Sequence, residues 1–201
     1  LRKNTIIIFT SDHGDGNAAH GWNQKTALFQ ESINVPFIIN YKGKNLSEEK
    51  INSSLISTGL DIFPTILDFA GVKIPSDLLG NSLKPIIKNK QKSLERNFVI
   101  TETKFDGKQA YGTTGRSVIG KKYKYIVYNW GKNREQFFDL ENDEFEMNNL
   151  INSKKHQQKL DEYRQKLIDW CSKTKDAKFL RKTVLPSNSN QSSSELFDKP
   201  Y

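Results

Sequence analysis

The chain has 201 residues, of which 35% are hydrophobic and 11% aromatic, and its 31 basic and 23 acidic residues give a formal net charge of +8. This length and composition fit one ordinary domain, or a large and a small subdomain, and exclude a disordered chain. The single cysteine, Cys171, excludes an internal disulfide, and no apolar run approaches the roughly 18 residues of a membrane span. The lysines are scattered and form no arginine-rich arm, so solvated helix faces account for the charge and nucleic-acid binding is not expected.

Short apolar runs alternate with helical patterns over the first 92 residues. Residues 5–10 and 37–39 are β-branched or aromatic runs, which predict strands buried on both faces of a parallel sheet. Residues 25–33 and 60–71 have the spacing of amphipathic helices. Strands that alternate with helices predict an α/β layer.

The pattern changes after about residue 92, where short strands follow one another. A small antiparallel sheet is predicted from four segments, the middle two joined as a hairpin around Gly120-Lys121: residues 97–103, 116–119, 122–128 and 135–140. An amphipathic helix is predicted over 156–173, burying the side formed by Leu160, Tyr163, Leu167, Ile168 and Cys171. We therefore expect two domains, 1–92 and 93–201, the second ending in a flexible, Ser/Asn-rich tail at 186–194.

Polar residues follow the first predicted strand, at the end of the strand where α/β sheets place their chemistry. They are Ser11-Asp12-His13-Gly14, followed by His20-Gly21 and Lys25-Thr26. The Asp12 carboxylate suits a hard cation such as Ca²⁺ or Mg²⁺, whereas the His13 imidazole would equally suit zinc or manganese. Taken alone, these residues also fit a turn-forming Asp, a His bonded to loop carbonyls and a surface Lys at a helix start.

The order of the motifs resembles the formylglycine-dependent sulfatases of the alkaline-phosphatase superfamily. In that family Ser-Asp-His-Gly-Glu is followed by His-Gly, a lysine motif, an aromatic-Glu pair and Arg-Val-Pro. Later segments resemble further family motifs in the same order: 57–67, 70–83, 122–126 and 138–150. The resemblance covers about residues 4–172, and a series of six motifs is far more specific than any one of them.

The resemblance implies part of an alkaline-phosphatase-like, mostly parallel sheet with flanking helices, followed by a small antiparallel-sheet subdomain with a C-terminal helix. It makes Asp12 and His13 the second pair of metal ligands, where calcium usually neutralises the sulfate oxygens. It makes Lys25 a catalytic, sulfate-binding cation that offsets charge on the departing oxygen. His20 would line the substrate side, where it can protonate the leaving alcohol or contact the sugar. Glu31 would buttress its helix.

The chain departs from the family pattern at three positions. Asn34 stands where the family has Arg before Val-Pro, Thr26 follows Lys25 without an intervening Gly, and Glu144 replaces a Pro. None of these positions is a proposed ligand.

Part of the family's active site is not found in this sequence. The family makes its formylglycine nucleophile from Cys or Ser in Cys/Ser-x-Pro-x-Arg, but Trp170-Cys171-Ser172-Lys173-Thr174 lacks the Pro and Arg, and Cys171 is predicted to be a core residue. The first metal-binding Asp pair is also absent. We therefore expect a C-terminal portion of a longer protein, inactive by itself, whose missing N-terminal part carries the formylglycine.

The resemblance predicts a sulfuric ester hydrolase that acts on a sulfated small molecule or glycan and is periplasmic or extracellular. Two alternatives stay open at this point. One is a phosphodiesterase or phosphonate monoester hydrolase of the same superfamily, and the other is a non-catalytic module that binds an anionic glycan through its basic face.

Overall fold

The computed structural model describes residues 4–41, 51–105 and 113–189. The chain divides into two compact units, the first of Leu1–Gly14 with Asn34–Val99 and the second of Asp15–Ile33 with Ile100–Tyr201. The predicted domain division at residue 92 stays a prediction, and most of the predicted flexible tail lies outside the described residues. In the part of the chain that the structure describes, no helix has both the length and the apolar character needed to cross a bilayer.

The first unit contains a two-stranded antiparallel sheet of β1 (Ile6–Thr10) and β2 (Phe37–Tyr41). Ile8 lies opposite Ile39 in the register. Side chains alternate along both strands, and the outward-facing Ile7, Phe9 and Ile38 are each more than half exposed.

This pairing corrects one prediction. The apolar runs predicted parallel strands buried on both faces, but β1 and β2 are antiparallel and one face of the pair is exposed. A β-branched run reports that the backbone favours an extended conformation, but it does not specify the direction of the neighbouring strand. The strands themselves were predicted correctly.

Helix α2 (Thr58–Ala70) follows in the same unit and begins two residues before its predicted start. Gly71 ends it in the left-handed conformation, with a φ of 71°, as a C-cap that glycine adopts without strain. The short helix α3 (Lys84–Ile87) follows. A Cβ atom at Gly80 would collide with the Leu60 carbonyl oxygen, so only glycine lets the backbone at residue 80 approach α2 this closely.

The Asp61 carboxylate joins three segments of the first unit. It is buried, and it accepts hydrogen bonds from the backbone N–H groups of Ser57 at 2.8 Å and Asn81 at 2.9 Å. The Arg96 guanidinium adds a bidentate ion pair, with Nη1 2.5 Å from Oδ2 and Nη2 2.7 Å from Oδ1. One side chain therefore fixes the start of α2, the turn before α3 and the segment before the next strand.

The second unit is built on a four-stranded sheet of the order β3-β4-β5-β6. Its strands, which confirm the predicted small antiparallel sheet, are β3 (Val99–Phe105), β4 (Thr113–Ile119), β5 (Tyr123–Tyr128) and β6 (Glu135–Asp139). The β4–β5 and β5–β6 pairs are antiparallel. The β4–β5 hairpin turns at Gly120, where a Cβ atom would collide with the Tyr163 hydroxyl.

Helix α4 (Gln157–Lys173) packs against β4 and β5 and is followed by the short helix α5 (Ala177–Leu180). Its buried residues are the five that the helical spacing predicts: Leu160, Tyr163, Leu167, Ile168 and Cys171. Burial raises the pKa of the Cys171 thiol to about 12, with a further contribution from the nearby Asp176 charge. Cys171 is therefore an unreactive core residue, as predicted.

We expect replacement of Arg96 by Met to lower the free energy of unfolding by about 3–5 kcal/mol, because it leaves the Asp61 carboxylate buried without its cation. Denaturant unfolding of the full-length protein measures this change. Lys159→Met is the control, since it removes an ion pair with Glu162 in which both side chains are about 40% exposed, and it should cost at most about 1 kcal/mol. Equal losses in the two variants would contradict the role assigned to Asp61.

Candidate functional site

A first group of predicted site residues lies in the loop that follows β1. The Ser11 hydroxyl donates to the His13 carbonyl oxygen at 2.7 Å, and the His13 backbone N–H donates to Asp12 Oδ1 at 3.0 Å. The Asp12 side chain is 82% exposed, and His13 is 37% exposed. The loop therefore presents a carboxylate and an imidazole side by side at the surface of the first unit.

The contacts of the His13 ring set its tautomer. Nδ1 lies 2.7 Å from the Gly14 carbonyl oxygen, and because a carbonyl only accepts, Nδ1 carries a proton. In the neutral ring this leaves the lone pair on Nε2, which lies 3.3 Å from Asp12 Oδ2. The Nε2 lone pair and the Asp12 carboxylate repel each other at this distance unless a proton or a cation lies between them.

The chemistry of this pair fits part of a cation site. Two ligand atoms about 2.2 Å from one ion, meeting it at about a right angle, would stand about 3 Å apart. The 3.3 Å between Nε2 and Oδ2 is close to that separation. Among residues 4–41, 51–105 and 113–189, however, no group of three or more His, Cys, Asp or Glu side chains is placed to hold a metal ion. Asp12 and His13 therefore fit as two ligands of a set and not as a complete set.

The electrostatics at Asp12 favour its charged form. Desolvation acts to raise its pKa, but the neighbouring His13 ring and the hydrogen bond from the His13 backbone N–H outweigh it and hold the pKa below its usual value. Asp12 is therefore ionised at neutral pH, as a metal ligand must be.

A second group of predicted site residues lies in the loop of residues 15–29, which belongs to the second unit. Its backbone is unusual, because five of its residues have a positive φ: Asn17, Ala18, His20, Gly21 and Gln24. The Gly16 N–H donates to the Gln24 carbonyl oxygen at 3.0 Å and closes the loop. Side chains rarely tolerate this region, and such conformations persist only where the surroundings impose them.

The length of α1 corrects a second prediction. A helix was expected over 25–33, but α1 covers only Gln30–Ile33. Lys25 therefore lies in the loop, with an exposed side chain, and not on a helix.

His20 is held between two side chains of the second unit. Its ring stacks on the Phe29 ring, with centroids 3.8 Å apart and an interplanar angle of 8°. Its Nε2 lies 3.8 Å from Glu31 Oε2, and the His20 side chain is 12% exposed. The predicted site residues thus lie in two loops, Asp12 and His13 in the first unit and His20 and Lys25 in the second, and their roles stay predictions.

Sequence reasoning missed a buried ion pair in the second unit. Lys124 Nζ lies 2.7 Å from Glu146 Oε1, and both side chains are fully buried. Glu146 Oε2 also accepts the Gln30 backbone N–H at 2.7 Å. The signal in the sequence was Lys124 itself, which stands between two tyrosines in a strand whose pattern is otherwise apolar.

The structural context now permits comparison with known proteins. The model of the family described as N-sulphoglucosamine sulphohydrolase, C-terminal, matches residues 18–173, which is well over half of the chain. The chain belongs to this sulfatase family. The matched segment includes His20, Lys25 and the Lys124–Glu146 pair, whereas Asp12 and His13 precede it.

Similar proteins agree with this assignment. The chain is 34% identical over 176 residues to a Delta 4,5-hexuronate-2-O-sulfatase of Bacteroides thetaiotaomicron, covering 87% of this chain and 36% of that protein. It matches the structure of a 2-O GAG sulfatase with a TM-score of 0.80 at 30% identity, over 96% of this chain and 44% of the other. A protein solved in complex with its substrate, D-glucosamine-2-N,6-O-disulfate, matches with a TM-score of 0.76 at 31% identity, over 87% of this chain and 35% of the other.

These likenesses confirm a C-terminal sulfatase portion and its alkaline-phosphatase-like α/β fold class. The chain spans about a third of the length of the curated relatives it matches. A phosphonate monoester hydrolase of Agrobacterium radiobacter is also similar, with a TM-score of 0.67 over 84% of this chain and 35% of the other. At 21% identity that likeness shows a shared fold and nothing further.

We expect replacement of Gly16 by Ala to lower the free energy of unfolding by about 1–3 kcal/mol, because its Cβ would lie 2.7 Å from the Trp22 carbonyl oxygen. Gly59→Ala is the control, since Gly59 lies in α2 with open space around it, and alanine there should leave the stability unchanged or raise it by up to about 1 kcal/mol. Thermal unfolding of both variants measures the difference. A Gly16→Ala variant as stable as wild type would show that the loop is not tightly closed.

Proposed function

We propose that the full-length protein is a sulfuric ester hydrolase that acts on a sulfated carbohydrate. The observation that carries this proposal is the family match over residues 18–173, which includes the loop that holds His20 and Lys25. The relatives at 30% identity or more bear sulfatase names, and two of those names specify a hexuronate and an N-acetylglucosamine as the sulfated sugar. A structural neighbour at 31% identity holds a disulfated glucosamine as its substrate.

The residues of this chain supply binding and charge to that reaction. Lys25 would place a positive charge against the sulfate and offset the negative charge that develops on the departing oxygen. His20 would face the leaving-group side, where a ring nitrogen can donate a hydrogen bond or a proton to the alcohol or contact the sugar. The strained backbone of the loop would hold both side chains in place before substrate arrives.

Two further groups belong to the proposal. Asp12 and His13 would hold a divalent cation, for which we propose calcium, and the ion would neutralise sulfate oxygens. A formylglycine, in a part of the protein outside this chain, would supply the nucleophile. Export to the periplasm or the cell exterior, where sulfated glycans are met, also stays a proposal.

The alternatives have less support. The phosphonate monoester hydrolases are similar only at 21% and 18% identity, so they share the fold without supporting the activity. A non-catalytic glycan-binding module would not need the ordered loop that carries His20 and Lys25. It would bind an anionic glycan without a metal requirement and with steep salt dependence.

We expect Lys25→Ala in the full-length protein to lower kcat/KM for an aryl sulfate by about a hundredfold to a thousandfold, because it removes the cation that stabilises the developing charge. Steady-state kinetics measure this loss. Lys121→Ala is the matched control, since Lys121 is an exposed lysine in the β4–β5 turn and should have no effect. Undiminished turnover in Lys25→Ala would remove Lys25 from the site.

We expect Asp12→Ala to weaken calcium binding by more than about tenfold, because even indirect partners of a metal site have effects of that size. Isothermal titration of the metal-depleted full-length protein with CaCl₂ gives this result without an activity assay. Asp15→Ala is the control, because Asp15 is a nearby exposed acid whose carboxylate accepts the Asn17 backbone N–H at 2.9 Å. Equal calcium affinity in the Asp12→Ala variant and wild type would exclude Asp12 as a ligand.

A further inference from the structure

The Lys124–Glu146 pair is unusual because both charges are completely removed from water. Lys124 Nζ and Glu146 Oε1 are 2.7 Å apart, and both side chains are 0% exposed. Burial lowers the pKa of Lys124 to about 8, although the charges of Glu146 and Glu31 act to raise it. Such a pair is costly to desolvate and adds little stability over an apolar pair of similar volume. Its presence therefore calls for another role.

Glu146 reaches the interior through a tight turn. Its backbone has a φ of 53°, and the Asp143 carboxylate holds the turn by accepting the backbone N–H groups of Met147 at 2.9 Å and Asn148 at 2.8 Å. The neighbouring Phe145 and Met147 side chains point outward and are exposed. The turn thus directs one carboxylate inward, beneath β5.

The second oxygen of this carboxylate fixes the start of α1. Glu146 Oε2 accepts the Gln30 N–H at 2.7 Å. Gln30 lies between the two residues that hold the His20 ring, which are Phe29, stacked on it at 3.8 Å, and Glu31, whose Oε2 is 3.8 Å from Nε2. A shift of the Gln30 backbone would therefore move both supports of His20 together.

We propose that Lys124 and Glu146 are positioning residues for His20: their buried ion pair fixes the backbone at Gln30, and Phe29 and Glu31 then hold the imidazole in its place. The sheet of the second unit thereby sets the position of the His20 side chain in the loop of residues 15–29. This inference rests on the proposed sulfatase function, because it concerns the geometry of a residue assigned to the substrate side.

The test is a cycle of variants in the full-length protein, assayed on an aryl sulfate. Replacing both partners with apolar residues, Lys124→Met with Glu146→Leu, removes the charges without leaving one unpaired, so the protein should still fold. Its melting temperature should be lower than that of wild type, because the Gln30 N–H loses its acceptor. We expect kcat/KM to fall by about tenfold to a hundredfold, because small displacements of site residues have effects of this size.

The deciding comparison uses the His20→Ala background. If the pair acts through His20, the double replacement should lower kcat/KM in wild type and cause no further loss once His20 is alanine. A purely structural role would lower kcat/KM by the same factor in both backgrounds, and that result would overturn the proposal. Lys122→Met with Glu141→Leu is the matched control, because it removes an exposed ion pair from the adjacent turn and should leave activity unchanged.

Two further measurements keep the outcome decisive. If the double variant does not fold, Glu31→Gln is tested in its place. Glu31 is one of the two supports of His20, and its side chain is 28% exposed, so the substitution should leave the fold intact. Like the double replacement, it should lower kcat/KM in wild type and cause no further loss in the His20→Ala background. If wild type hydrolyses no sulfate ester, the proposed function fails, and NMR of the His20 ring decides the positioning separately. The ring signals should shift on loss of the buried pair and not in the control, and unchanged signals would overturn the proposal.

Discussion

The second unit depends on a buried lysine, Lys124, near the start of β5. A charged Lys124 inside a sheet is tolerated only with an opposite charge in hydrogen-bonding range. That requirement brings Glu146 inward on a left-handed turn, although 21 residues separate it from Lys124 in the chain. Once buried, Glu146 has a second oxygen to satisfy, and the Gln30 N–H satisfies it. The position of α1 follows from this one electrostatic constraint.

The loop that precedes α1 shows why such a constraint is useful. Ala18 and His20 hold left-handed backbone conformations that cost about 1–3 kcal/mol each for side-chain-bearing residues. The loop is kept in this state by contacts on its C-terminal side: Leu28 is buried against Ile126 and Phe138, and its N–H donates to the Tyr128 hydroxyl at 3.0 Å. Strain in the loop is thus balanced by packing on the sheet, which fixes the C-terminal end of the loop that carries His20 and Lys25.

The sequence predicted those features that its periodicity encodes. The buried face of α4 was correct at all five positions, because spacing along a helix reports directly which side chains face a core. The β4–β5 hairpin was also correct, since Gly120 marks a turn between two strand-like runs. The candidate site residues were predicted from the order of the motifs, but that order does not specify the distances between their side chains.

The features that were missed depend on non-local or backbone information. The apolar runs predict two strands, but they do not specify that β2 runs antiparallel to β1. The length of α1 was overestimated because Leu28, just before it, is held by contacts with the distant Tyr128 and Ile126, which a local pattern does not show. The burial of Lys124 was not predicted because its partner lies in a distant turn. Each of these three features depends on tertiary contacts between distant segments, whereas a local sequence pattern describes only one segment.

The most direct test of the account is the hydrolysis of matched aryl sulfate and aryl phosphate esters by the purified full-length protein, with its intact mass determined alongside. A sulfatase should turn over the sulfate ester with a much higher kcat/KM and carry a mass consistent with formylglycine in place of a Cys or Ser. A preference for the phosphate ester would contradict the account and move the protein to the phosphoester hydrolases of the same fold. Inertness toward both esters would leave the family assignment as a statement about ancestry and exclude the proposed reaction.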